Sequence, residues 1–221
     1  MLGRFGWKAN VATLAHQTAS AFWGEISITS SKARDENCNA AQADRMKAPP
    51  GAQGKSPEID DKTLGDAVLY QATLVRPARR APQDLQTVGG QQLFSQAQCA
   101  ACHRTGYVTT AGPFPQLTST ALNGQRIWPY THLLLHDMGD GLADGRPDFQ
   151  VSGRQWKTPP LWGIGLVKDI NSHHCLLHDG RARGTIEAFL WHGSEAKASR
   201  QQVLKMGKPG VLRWSSLRSR Y

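Results

Sequence analysis

The stretch Cys99-Ala100-Ala101-Cys102-His103 decides the reading of this chain. Two thiols two residues apart can each add to a vinyl group of one porphyrin, and the adjacent imidazole then falls beneath the iron as its proximal ligand. The spacing predicts one covalently attached haem c per chain, with Cys99 and Cys102 as the attachment points and His103 on the iron. A zinc half-site would need a second ligand pair, and the other thiols, Cys38 and Cys175, stand alone. A thioredoxin-like redox pair would need a βαβ context. Here the flank from Val88 to Gln98 has helical spacing and runs into the motif as a short amphipathic helix.

Downstream, residues 104–125 are polar and punctuated by Gly112, Pro113 and Pro115, which predicts a loop at the haem edge. Residues 127–146 combine a short apolar run with His132, His136 and Met138. In the segment 154–163, Pro159 and Pro160 remove two backbone donors and fix φ, so an extended, packed strap is expected there. His173, His174 and His178 follow. A helix is then predicted from Thr185 through Leu190 to His192, with Gly193 as its stop.

Upstream, Val11, Leu14, Ala15, Thr18, Ala19 and Phe22 share one helical face. Residues 24–54 are rich in Ser, Asn, Asp, Ala, Pro and Gly and predict a long irregular surface segment. Cys38 within it reads as a solvent-side thiol or half of a disulfide, with no evident partner. Helical periodicity returns over residues 59–75 and ends at Arg76-Pro77. Residues 76–86 then read as a linker. This divides the chain into an N-terminal helical and irregular portion (1–85), a cytochrome c domain (86–206) and an atypical basic tail (207–221). The fold class expected is mainly α, a cytochrome c-like domain with long irregular loops.

The 221 residues are 39% hydrophobic, enough for a core, and carry a formal charge of +9. The basic residues are scattered, apart from Arg76, Arg79 and Arg80 and the Arg-rich tail. No basic strip interleaved with aromatics exists, which argues against a nucleic-acid partner. No run approaches the roughly 18 to 20 apolar residues of a spanning helix, and residues 1–10 show no export signal. Haem c is attached outside the bacterial cytoplasmic membrane, so the motif implies a periplasmic protein. The missing signal implies either a fragment whose start lies upstream or a motif that is never filled.

Three further stretches carry a resemblance: Trp156-Lys-Thr-Pro-Pro-Leu-Trp162, Leu176-Leu-His-Asp-Gly-Arg-Ala-Arg183 and Ile186-Glu-Ala-Phe-Leu-Trp-His-Gly-Ser-Glu-Ala196. Together they resemble the C-terminal half of the diheme thiol oxidoreductases, relatives of the bacterial diheme cytochrome c peroxidases. Gly3-Arg-Phe-Gly-Trp-Lys-Ala9, Pro57-Glu-Ile-Asp-Asp61 and His136-Asp-Met-Gly139 are similar to that family too, so the likeness spans residues 3–206. Members carry two C-x-x-C-H motifs and this chain has one. The tail from Gly207 also departs from the amphipathic helix with which the family closes.

The resemblance implies a distal iron ligand at the end of the helix that follows the His-Asp-Gly segment, which puts His192 there; ligand chemistry leaves Met138, or no protein ligand, as the alternatives. It also implies a calcium ion near the strap, held partly by the carbonyls of Thr158 and Pro160. His136 and His178 read as hydrogen-bonded structural residues. His132, His173 and His174 read as surface residues, and Trp162 and Trp191 as packing residues. The function expected is electron transfer to a redox partner protein. The alternatives are peroxidase or thiol oxidoreductase activity with a second haem supplied elsewhere, or a haem-free fragment.

Overall fold

The computed structural model describes residues 2–52, 54, 56–76, 78–112 and 119–218. Among them the protein is mainly α, with eight α-helices and two two-stranded antiparallel sheets. None of the described helices is long and apolar enough to cross a membrane. The chain forms two compact units, one built on Asn10–Leu74 and the other on Val75–Ala111 and Thr120–Tyr221 together with Trp7–Ala9. The second unit already includes Arg76, which bonds the carbonyl of Arg126.

In the first unit, α1 (Leu14–Glu25) starts where the Thr13 hydroxyl accepts the His16 N–H. The short α2 (Ala43–Lys47) has no buried residue and lies within the stretch expected to be irregular. Helix α3 (Asp61–Thr73) is capped by the Asp60 carboxylate on the Thr63 N–H at 2.7 Å. Thr18 and Ala19 of α1 and Leu64 and Val68 of α3 are the buried side chains of this helix pair. Gln71 fixes their register by donating to the Thr18 hydroxyl at 3.0 Å. Ahead of α3, Glu58 accepts both the N–H and the hydroxyl of the buried Thr29.

In the second unit, α4 (Leu85–Gln96) begins three residues earlier than the apolar spacing suggests. The Asp84 carboxylate accepts the N–H groups of Gln86 and Thr87 and so sets its first turn. The segment expected at the haem edge contains a hairpin, β1 (Tyr107–Val108) against β2 (Arg126–Ile127), and residues 113–118 of that expectation lie outside the described residues. Strand β3 (Leu135–Asp137) pairs with β4 (Gln155–Lys157), with His136 opposite Trp156. Beyond β4 the strap is held in extended form by Thr158 N–H on the Leu134 carbonyl and Leu161 N–H on that of Pro129.

Four helices complete this unit: α5 (Val167–Asn171), α6 (Thr185–Leu190), α7 (Lys197–Lys205) and α8 (Gly207–Arg218). The stretch expected to be an atypical basic tail therefore contains a helix through residue 218. Left-handed Gly207 turns the chain out of α7, and Pro209 falls in the first turn of α8, where its missing N–H costs nothing. Trp214 on that helix is fully buried, with its ring 4.6 Å from that of Phe189. The core it joins comprises Phe94, Ala97, Cys99, Tyr130, Leu161, Phe189 and Val203.

Truncating Trp214→Ala should destabilise this unit by about 3–5 kcal/mol in denaturant unfolding, as for other buried aromatics. Leu85→Ala, at a side chain 87% exposed, should change it by no more than about 0.5 kcal/mol. Asp84→Ala should cost about 1 kcal/mol through the lost cap of α4.

Candidate haem site

Helix α4 delivers the motif. After its last turn Gln98 adopts a left-handed conformation, φ 61°, and Cys99–Ala101 form a single 3-10 turn. The Cys102 N–H closes this turn on the Cys99 carbonyl, which also accepts the His103 N–H at 3.0 Å. Cys99 is buried and Cys102 half-buried, so the two sulfurs have different surroundings. Burial, and after it the charge of Glu195, pushes the Cys102 thiol above its ordinary value.

The His103 ring is 9% exposed, and its Nδ1 lies 2.9 Å from the Tyr130 carbonyl oxygen. A carbonyl only accepts, so Nδ1 carries the proton and Nε2 holds the lone pair, the arrangement an iron-binding imidazole requires. Phe94 meets both rings edge-on, at 6.2 Å from His103 and 5.6 Å from Tyr130. Tyr130 itself has φ 52°, a strained value for a side chain of that size, and is fully buried. The thiol pair and the oriented imidazole fit a c-type haem.

His192 follows α6 and directs its Nδ1 to the Ala188 carbonyl at 3.0 Å, so its Nε2 also keeps the lone pair. Phe189 lies against it at 5.5 Å. The two candidate distal positions approach one another through glycines. A Cβ on Gly193 would stand 2.8 Å from the Met138 carbonyl oxygen, and one on left-handed Gly139 would stand 3.4 Å from the Ser194 nitrogen. Met138, half-buried after β3, lines a cavity of about 450 Å³ with Trp191, Ser194 and Arg200.

Beside Cys102 the structure gathers residues that the sequence does not connect. His136 on β3 donates from Nδ1 to Glu195 at 2.6 Å, and its Nε2 lies 3.0 Å from the Nε2 of His132. Glu195 also accepts the Asp137 N–H at 2.9 Å. The bond from His136, followed by that from Asp137, holds the Glu195 carboxyl below the usual carboxylate range. His132, expected at the surface, is half-buried because its ring stacks on His136 at 5.0 Å. Burial, then the neighbouring His136, lowers its pKa.

The other singled-out residues separate into packing and surface roles. His178 stacks on Trp156 at 3.6 Å, and Lys8 covers the same ring at 3.5 Å from its centroid. Trp162 and Trp191 are each 37% exposed, more than packing residues would be, and Trp191 faces the Arg181 guanidinium at 4.9 Å. His173 is exposed and His174 half-buried. Cys38 and Cys175 are free thiols. The Thr158 carbonyl, one of two expected for calcium, accepts the Thr131 hydroxyl at 2.6 Å. Tyr130 carries no sequence signal for its role, because a carbonyl acceptor can come from any residue; Glu195 lies in a stretch that carries the family resemblance, but nothing in that stretch names its histidine partner.

Because the Glu195 pKa is depressed, its contribution to stability is complete above the ordinary carboxylate pKa and is lost as pH falls through the folded value. Acid titration of unfolding should therefore show Glu195→Gln losing part of the acid-limb slope of the parent, with the two curves converging at low pH.

No curated protein and no solved structure matches the chain. The model of the family described as "Di-haem oxidoreductase, putative peroxidase" matches residues 1–213. With that match over nearly its whole length, the chain belongs to the di-haem oxidoreductase family.

Proposed function

We propose that this oxidoreductase-family chain holds one haem c in a cytochrome c-like domain and passes electrons to a redox partner protein in the periplasm. The observation that carries this reading is the His103 Nδ1–H bond to the Tyr130 carbonyl, on the same turn as Cys99 and Cys102. When bound, the haem supplies a one-electron couple. Cys99 and Cys102 would anchor it through thioethers, and the Nε2 atoms of His103 and His192 would bind its iron. Met138 is the alternative to His192. The Tyr130 and Ala188 carbonyls orient the two imidazoles, and Phe94 and Phe189 limit their rotation.

With both histidines on the iron no open position would remain for peroxide, which favours electron transfer. The strap contributes packing in this reading, and no calcium is assigned to Thr158 or Pro160. One observation favours a second reading. The family is named for two haems, whereas this chain has a single C-x-x-C-H motif, so a second haem supplied elsewhere would restore peroxidase or thiol oxidoreductase chemistry.

The test is to direct the chain to the periplasm of a strain that matures cytochromes c and to measure a pyridine haemochrome and a reduced-minus-oxidised spectrum. One covalent haem per chain is expected, low-spin and unresponsive to cyanide or peroxide. His192→Ala should turn it high-spin, while Met138→Ala should leave it low-spin. A high-spin parent that shifts with peroxide would favour the peroxidase reading, and absence of covalent haem would overturn both.

A further inference from the structure

We propose that, before haem is attached, Cys102, His132 and His136 bind a zinc-class divalent ion, and that this ion and haem attachment at Cys102 exclude one another. One donor atom from each residue lies within 4.8 Å of the other two. The two imidazoles face one another through Nε2 atoms 3.0 Å apart, in rings inclined by only 15°. Zinc bonds imidazole nitrogen at about 2.0–2.1 Å, which in a tetrahedral arrangement spaces two nitrogens by about 3.3 Å. The pair needs to open only slightly to admit an ion. The cysteine sulfur must move further, and it sits on a single 3-10 turn beside the long loop that carries His132.

The surroundings are those of a metal site. Glu195 accepts from Nδ1 of His136, so a carboxylate fixes the tautomer that leaves Nε2 toward the ion. Glu195 is itself held by the Asp137 N–H, and His136 is held on β3 by its pairing with β4. In the metal-free chain a single proton lies between the two Nε2 atoms. When the ion enters, that proton moves to Nδ1 of His132, the long 3.3 Å contact of the Leu134 N–H on this nitrogen is given up, and the Cys102 thiol releases its proton to solvent. The products are a His₂Cys-bound ion with one open position and one free proton.

Exclusivity follows from the sulfur. A thioether has no proton to lose and no charge to offer, and such soft neutral sulfur is a poor donor for zinc. Once Cys102 is joined to a vinyl group the set is reduced to two imidazoles. Conversely, a thiolate committed to zinc is withheld from addition. Cys99 lies outside the cluster, so the ion distinguishes two cysteines that the motif treats alike.

The test uses the full chain prepared reduced and without haem, titrated with zinc against a chromophoric chelator and with cobalt for its thiolate charge-transfer band. One ion per chain is expected. Cys102→Ser should abolish the cobalt band, and His132→Ala and His136→Ala should weaken zinc binding by more than Glu195→Gln does, itself about 10–100-fold. Cys99→Ser, checked for native circular dichroism, should bind as the parent does. If it stays folded yet weakens binding as much as Cys102→Ser, the ion is held by the C-x-x-C-H turn, as an unfolded chain would hold it, and the proposal is overturned. Failure of the parent to compete with the chelator overturns it as well. The haem-loaded chain should lose the zinc to the chelator, and retention at parental affinity refutes exclusivity. The zinc titration precedes haem attachment, so its failure is distinct from failure of the haemochrome assay.

Discussion

The bond from His103 Nδ1 to the Tyr130 carbonyl ties the motif to a loop 27 residues away, and the rest of the second unit maintains it. An imidazole can present either nitrogen, and a rotating ring would offer iron no consistent donor. The carbonyl resolves the tautomer, and Phe94 edge-on to both rings restricts their rotation. Tyr130 must then adopt a left-handed backbone, and it is held there by full burial and by its neighbours. Leu161 bonds the Pro129 carbonyl, and the Thr131 hydroxyl bonds that of Thr158. The double proline of the strap matters in this context, since the segment cannot fold back into helix and leaves its polar groups for that loop.

A second constraint operates where the two glycine turns meet. Gly139 follows β3 and Gly193 follows α6; a Cβ on Gly193 would displace the Met138 carbonyl, while Gly139 is required by its left-handed φ of 82°. This close approach brings Met138 beside the residue following His192, and it sets Glu195 within reach of His136 and Asp137. One packing contact thus positions both the distal-ligand candidates and the carboxylate that orients the histidine pair. The coupling is steric, with the carboxylate hydrogen bonds added to it.

Local chemistry in the sequence determined much of this architecture. Helices α1, α3, α4 and α6 are legible from apolar spacing because each spans only a few turns and three of them begin at an Asp or Thr cap. The C-x-x-C-H spacing likewise placed two thiols and an imidazole on and beside one short turn, a local feature that needs nothing distant. The family too was legible, because several short motifs occur in order along the chain.

Only the tertiary structure decided the remainder. The pairing of β3 with β4, the partner of His103 and the grouping of His132, His136 and Glu195 about Cys102 all join residues far apart in sequence. No periodicity encodes such contacts, because a carbonyl or a carboxylate acquires its role from what packs beside it. The same holds for α8, whose composition reads as a basic tail and whose place is set by one buried indole. Trp214 has an ordering influence there because the cleft beside Phe189 removes its ring from water, a gain that exists only once the core has formed.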